Sequence, residues 1–204
     1  MPRRLAVVAT LLLGSALAAL AQTSQGGFGR RPVFTNDSVS VERILMLPGS
    51  REAPHTHAYP MIVVQLTAGT VDFIARDMTH TAANAGGTPF EMLTIAINPE
   101  RLRGGTAPPA AAPAGVTRTP VLDNTDATIT RLEFAPSARE TVHMHPYDLV
   151  VVPLTTSHIE LQLGTEKDMK TLTPGDAFFI PRFEPHAVAN LGPETLAVLG
   201  VVIK

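Results

Sequence analysis

PVFTNDSVSVERILMLPGSREAPHTHAYPMIVVQL, residues 32–66, lies over PVLDNTDATITRLEFAPSARETVHMHPYDLVVVPL, residues 120–154, at an offset of 88. About 13 of these 35 positions are identical and most of the others set apolar over apolar, which is self-similarity on the scale of a duplicated unit. The shared residues include Pro48 and Pro136, Arg51 and Arg139, Glu52 and Glu140, Tyr59 and Tyr147, and two His-x-His pairs. Beyond Leu66 the register breaks and resumes. LTAGTVDFIARDMTHTAAN (66–84) lies over LTPGDAFFIPRFEPHAVAN (172–190) at an offset of 106, matching Gly69 with Gly175, His80 with His186 and Asn84 with Asn190. The second copy therefore carries a stretch that the first lacks, roughly Thr155 to Thr171. It alternates and turns at Gly164, as an added hairpin does.

Within each copy the apolar stretches are short, β-branched and separated by Pro and Gly: VSVERILML, MIVVQL, VDFIA and FEMLTIAI in the first. No stretch beyond the leader sustains a 3.6-residue period, so an all-β sandwich or barrel is expected. NPERLRGGTAPPAAAPAGVTRT (98–119) is rich in Pro, Ala and Gly and reads as an extended linker. The expected division is a leader over 1–21, a first unit over 32–97, the linker, and a second unit over 120–204.

Composition narrows the function. The chain has 204 residues, 45% of them hydrophobic, and a formal charge of −2. No basic run is present to neutralise phosphates, so no nucleic-acid partner is expected. The absence of cysteine removes disulfides, thiolate metal sites and cysteine nucleophiles. Residues 1–21 pair Arg3 and Arg4 with an apolar run and end in Ala19-Leu20-Ala21, the layout of a secretory signal peptide. The alternative is an uncleaved anchor. Cleavage would leave 14 basic against 18 acidic residues in a soluble periplasmic or secreted protein with no membrane partner.

Six of the seven histidines fall into equivalent triplets: His55, His57 and His80, then His143, His145 and His186. Residues i and i+2 of an extended chain face the same way. A His-x-His pair can thus aim two imidazoles at one point, with a third arriving from a neighbouring strand. Imidazole binds Fe, Zn, Ni and Cu and tolerates Mn. A single His-x-His is more often a surface pair; two triplets kept in diverged copies point to metal.

These residues carry a resemblance to the cupin superfamily, whose first motif is G(x)5HxH(x)3–4E(x)6G and second G(x)5PxG(x)2H(x)3N. The second is nearly complete in Gly175, Pro181, His186 and Asn190, with Phe183 in the place of its later glycine. Ser137 stands for the glycine before His143 and His145, whereas Gly49 keeps it before His55 and His57. Ala75 replaces the proline in the first copy. The resemblance implies two jelly-roll barrels, the first trimmed by one hairpin, a divalent metal of unspecified identity, a small-molecule ligand or substrate, and the homodimers that cupins often form. The motif's glutamate is Met61 in one copy and Leu149 in the other. Asp148 sits one residue early and faces away from the histidines unless a bulge at Pro146 re-aims it. Three-histidine iron sites lacking the glutamate are associated with certain cupin dioxygenases. Two functions stand open. One is a metalloenzyme with Val150, Val152, Phe178 and Ile180 as water-excluding walls; the other is a small-ligand-binding module without chemistry. Arg51, Arg139, Glu52, Tyr59 and Arg182 are secondary candidates, with surface or structural roles preferred for most.

Overall fold

The computed structural model describes residues 27–100 and 112–204. The leader and the middle of the linker lie outside them. The first half forms β1 (Phe28–Thr35), β2 (Val39–Met46), β3 (Met61–Gln65), β4 (Val71–Ile74) and β5 (Phe90–Ile97). The second forms β6 (Val116–Asp123), β7 (Ala127–Phe134), β8 (Asp148–Pro153), β9 (Ser157–Leu163), β10 (Glu166–Leu172), β11 (Phe178–Ile180), β12 (His186–Asn190) and β13 (Leu196–Ile203). No helix occurs among the described residues. The protein is all-β, as the short β-branched runs require.

Two five-stranded antiparallel sheets have the same strand order, β1-β2-β5-β3-β4 in one and β6-β7-β13-β8-β11 in the other. A third sheet, β10-β9-β12, covers the second. Strands β9 and β10 are the hairpin expected between Thr155 and Thr171, turning through Gly164. Strands β1 and β6 begin ahead of Pro32 and Pro120, so the segment taken as linker is strand from Val116 onward. The reason is local. The loop composition ends at Gly115, and Val116-Thr117 then finds Phe134 and Glu133 of β7 as partners.

The second sheet is buried on both faces. Strand β8, DLVVVP, is buried at every position, and β13 at all but one. Alternate residues serve different cores because successive side chains leave a strand on opposite faces. Val150, Val152, Leu199, Val201 and Ile203 meet Val41, Ile62, Val64, Leu93 and Ile95 of the first sheet. Leu149, Val151, Leu196 and Val198 meet Ile159, Leu161 and Val188 of the third. Each fully buried Val, Leu or Ile stabilises by roughly 1.5–3 kcal/mol, so these two layers hold the molecule together. At the sheet margins Phe34 packs on Phe179, with ring centroids 6.4 Å apart.

The hydrophobic contact between the halves has polar pins. The Ser38 hydroxyl donates to Asp148 Oδ2 at 2.6 Å, and Arg182 donates to the same carboxylate from its backbone N–H at 3.0 Å, from Nε at 3.2 Å and from Nη2 at 3.1 Å. Gly175, at φ 96°, lies under the Arg43 guanidinium, where a Cβ would fall 2.5 Å from Nη1. Asp148 is thus turned toward the first sheet and satisfied there, as the regular alternation of β8 dictates.

Burial alone pushes the Asp148 carboxyl up, but the hydrogen bonds from Arg182 and Ser38 together outweigh it and hold the group below its ordinary range. A carboxyl lowered on folding contributes stability above its unfolded pKa of about 4, and that contribution is lost as pH falls through the folded value. Asp148→Asn should therefore cost about 2 kcal/mol near neutral pH. It should also flatten the fall of the melting temperature below pH 4; thermal unfolding of both proteins between pH 2.5 and 7 reads this.

Candidate metal centre

His55 and His57 lie in the extended segment before β3, and His143 and His145 in the matching segment before β8. None of the four is in a strand, but each segment is pinned by a two-way backbone bridge to the third histidine. His55 N–H bonds His80 O at 3.0 Å and His80 N–H returns to His55 O at 2.9 Å; His143 and His186 do the same at 3.0 and 2.8 Å. A second pin fixes the other member of each pair. Asp77 N–H donates to His57 O at 2.8 Å, and Phe183 N–H to His145 O at 2.6 Å. Asp77 and Phe183 both sit at φ 61°, a left-handed turn that aims this N–H and starts the segment carrying the third histidine. Gly49 and Ser137, at φ 76° and 64°, share the conformation ahead of the His-x-His pairs. The backbone of the motif survives where its glycines do not.

These pins converge the side chains. One nitrogen from each of His55, His57 and His80 lies within 4.8 Å of the others, and the same holds for His143, His145 and His186. Ring centroids are 4.3–5.0 Å apart in both triads. Backbone carbonyls fix the orientation of three rings: Nδ1 of His55 faces Ala53 O at 2.9 Å, Nδ1 of His143 faces Thr141 O at 2.9 Å, and Nδ1 of His186 faces Glu184 O at 2.8 Å. An Nδ1–H that donates to a carbonyl leaves its lone pair on Nε2. In the first triad Nε2 of both His57 and His80 is buried with no hydrogen-bond partner. Such an orphan costs about 1–3 kcal/mol, and a metal ion is the partner that three converging imidazoles fit.

Four of the imidazoles, His57, His80, His145 and His186, are biased toward the neutral form that binds metal. Burial, then the nearby charge of His143, His186 and Arg118, pushes His145 down to about 4. Burial likewise lowers His186, and burial with the neighbouring His55 lowers His57 and His80.

The surroundings differ. The second triad opens into a cavity of about 490 Å³ between the second and third sheets, within the ~300–1,000 Å³ usual for small-molecule sites. Its walls include Leu149, Val151, Phe178 and Ile180. Val150 and Val152, expected as walls, point instead into the core between the five-stranded sheets, because alternation along β8 sends them to the opposite face. The first triad lies in a trough of about 640 Å³ on the outer face of the first sheet, lined by Met61, Val63, Phe90 and Met92 among others. Met61 and Leu149, which replace the motif's glutamate, each line their site.

A carboxylate nevertheless reaches each site from upstream. Glu52 Oε2 is 3.9 Å from His55 Nε2, and Glu52 Oε1 accepts from Arg30 at 2.5 Å. Glu140 is buried, lines the second cavity, and accepts the Val188 N–H at 3.2 Å. Burial pushes its carboxyl up, partly opposed by the charge of His143. Arg30 and Arg118 were missed because an alignment begun at Pro32 stops short of them. Carrying the same offset upstream pairs them at once.

The remaining candidates have structural partners. Tyr59 and Tyr147 stack on His57 and His145, with centroids 5.0 and 4.7 Å apart, and Tyr147 OH meets His145 Nδ1 at 3.0 Å. Asn84 Nδ2 donates to Met46 O, and Asn190 Nδ2 to Phe134 O, which ties the segment after each third histidine to the end of β2 or β7. Arg139 pairs with Glu160 on the surface at 2.6 Å. Arg182 is bound to Asp148 as described.

A family model for the cupin domain matches residues 130–202. The beta-alanine degradation protein BauB of Pseudomonas aeruginosa is 31% identical over 83 residues, 41% of this chain and 87% of that protein. AerE from Microcystis aeruginosa superposes with a TM-score of 0.66 at 11% identity, over 89% of this chain and 100% of that one. Salicylate 1,2-dioxygenase from Pseudoaminobacter salicylatoxidans, solved with gentisate adducts, gives 0.63 at 8% identity, over 81% of this chain and 68% of that one.

A left-handed conformation costs an L-residue about 1–2 kcal/mol, while glycine adds roughly 0.5–1 kcal/mol of unfolded-state entropy. Phe183 is 61% exposed, so little packing is lost with its ring. Phe183→Gly is expected to preserve the His145 bridge and raise stability by up to about 1 kcal/mol, measured by urea unfolding. Asn190→Ala, which strips several buried carbonyls of their donor, should cost about 2–3 kcal/mol in the same assay.

Proposed function

The chain belongs to the cupin superfamily, and from that premise we propose that it is an exported metalloprotein whose more deeply buried second triad works on a small molecule. The observation that carries this reading is the convergence of three imidazoles, His143, His145 and His186, on the wall of a largely apolar cavity. A divalent ion bound there would supply a Lewis acid, and iron would add redox chemistry with dioxygen. The chain's own groups divide the remaining work. Thr141 O and Glu184 O hold the His143 and His186 rings, and Tyr147 holds His145. Leu149, Val151, Phe178 and Ile180 keep water from the reacting centre. Glu140, a buried carboxyl beside the triad, is placed to give or take a proton at Oε1, since Oε2 accepts from Val188.

The units over 32–97 and 120–204 are taken as two copies of one cupin, extended upstream to include β1 and β6. The common strand order supports this. The first triad, whose histidines are less buried, is a second metal position with weaker control over water. Met61 and Leu149 favour the other reading, a ligand-binding cupin without chemistry, since neither offers a charged fourth ligand. Export rests on the basic and apolar pattern of residues 1–21 and their Ala-Leu-Ala end.

Elemental analysis after loading with Fe, Mn, Zn, Ni or Cu in turn is expected to find bound metal in the wild type. His143→Ala and His55→Ala should each lower it. A wild type that retains only traces of every metal sinks the reading. Tyr147→Phe should keep the fold and weaken metal binding by about 10-fold or more, as loss of an orienting partner does. Steady turnover of a substrate by the metal-loaded form, absent in His143→Ala, separates enzyme from binding module. After expression in a Gram-negative host, N-terminal sequencing of the periplasmic fraction should begin at Gln22.

A further inference from the structure

The ribbon that carries the first triad also carries a sulfur. Residues 55–61 run antiparallel to residues 74–80: Met61 stands opposite Ile74, His57 O accepts the Asp77 N–H, and His55 bridges His80. His55, His57 and Met61 are separated by even numbers of residues, the condition for sharing one face of an extended segment. All three line the trough on the outer face of the first sheet. Ile62 and Val64, the alternate residues of β3, go instead into the core between the five-stranded sheets. Met61 is 8% exposed, yet it stands outside the small apolar cluster of its own face, where Met92 and Ile44 join Phe28 and Met46. Met92 is opposite Gln65, and that position lies about 13 Å along β3 from Met61 at the usual rise per residue.

We propose that the first triad is a copper(I) site of three imidazoles and one thioether, with Met61 Sδ as the fourth donor. The proposal rests on the reading of His55, His57 and His80 as a metal position and names the metal that this position takes. Nε2 of His57 and Nε2 of His80 are buried with no hydrogen-bond partner, so two of the three imidazoles have an unspent nitrogen in the pocket that Met61 lines. A thioether is a soft donor that selects Cu(I), and imidazole binds copper as well. Hard ions prefer carboxylate oxygen, and the carboxylate beside His55, Glu52, is engaged by Arg30 at 2.5 Å.

The second half is the internal control. Leu149 stands opposite Ile180, His145 O accepts the Phe183 N–H, and His143 bridges His186. The ribbon is the same, but Leu149 holds the place of Met61 on the cavity wall and offers no donor atom. The two triads therefore differ in donor set by one sulfur.

Each site is read alone in the test: His143→Ala leaves the first triad intact and His55→Ala the second. Copper(I) affinity is measured anaerobically by competition with the chromophoric chelator bicinchoninate, and zinc affinity by calorimetric titration. A partner that merely orients a ligand is worth about 10–100-fold in metal affinity. In the His143→Ala background Met61→Leu should thus weaken copper(I) by at least about 10-fold while shifting zinc by less than about 3-fold. Met169→Leu, at a 74% exposed position on β10, should change neither. In the His55→Ala background Leu149→Met, which adds the thioether to the second ribbon, should tighten copper(I) by about 10-fold. X-ray absorption at the copper edge should show sulfur bound to copper in the His143→Ala protein and none in the His55→Ala protein. Thermal unfolding checks that each variant is folded, and the Leu149→Met and absorption arms decide the matter if Met61→Leu is not. Copper bound without sulfur, copper(I) affinity untouched in folded Met61→Leu, or a loss produced by Met92→Leu instead would each overturn the proposal. Zinc binding in the same samples reports separately on the metal position. A first site that holds zinc but shows no sulfur on copper keeps the metalloprotein reading and refutes this one; a first site that binds neither metal refutes both.

Discussion

The constraint on which everything else depends is the burial of one sheet from both sides. Strands β8 and β13 send alternate side chains into two separate cores, one shared with the first sheet and one with the β10-β9-β12 sheet. A one-residue slip of either strand would exchange the two sets and leave Val150 and Val152 in the cavity. Register is therefore set by packing on both faces, and the segments that enter β8 inherit it. His143 and His145 immediately precede that strand, so the position of the histidine pair follows from the core beneath it.

The two halves share a strand order but not a fate. In the second half β9 pairs with β12 and turns the histidine-bearing segment into a regular strand under a third sheet. In the first half the matching segment, 80–84, joins no sheet and is held by isolated bridges to 51 and 55 and by the Asn84 side chain. No hairpin covers it among the described residues. Both triads line partly open pockets, and the second triad is the more deeply buried of the two. The same three imidazoles experience different desolvation, and the first-half cation Arg30 is spent on carboxylates that reach it in the open.

Backbone geometry has been kept where side-chain identity has drifted. Ser137 and Phe183 stand where the cupin motifs have glycine, yet both hold the left-handed conformation that glycine serves. Phe183 does so because its N–H is needed by His145 O. The strain is local and small beside the two-sided core, and it maintains a turn without which His186 would not face its partners. The motif's carboxylate took a different course. Its downstream place is apolar in both halves, while Glu52 and Glu140 approach from the upstream side.

Much of this was legible in the order of residues. The β-branched runs and turn residues specify an all-β chain, the two offsets of 88 and 106 locate the β9–β10 hairpin, and the spacing of six histidines singles them out as two triplets. Those features depend on local alternation and on comparison of the chain with itself. Other features depend on which face meets which layer. Val150 and Val152 read as cavity walls until the first sheet was seen to cover them. Asp148 read as a candidate ligand until Ser38 and Arg182 were found around it, and Arg118 was invisible until β6 closed over the cavity. A sequence carries the period of a strand but not the identity of what lies above and below it. Tertiary packing alone decided which triad is the more deeply buried and which charged groups meet one another.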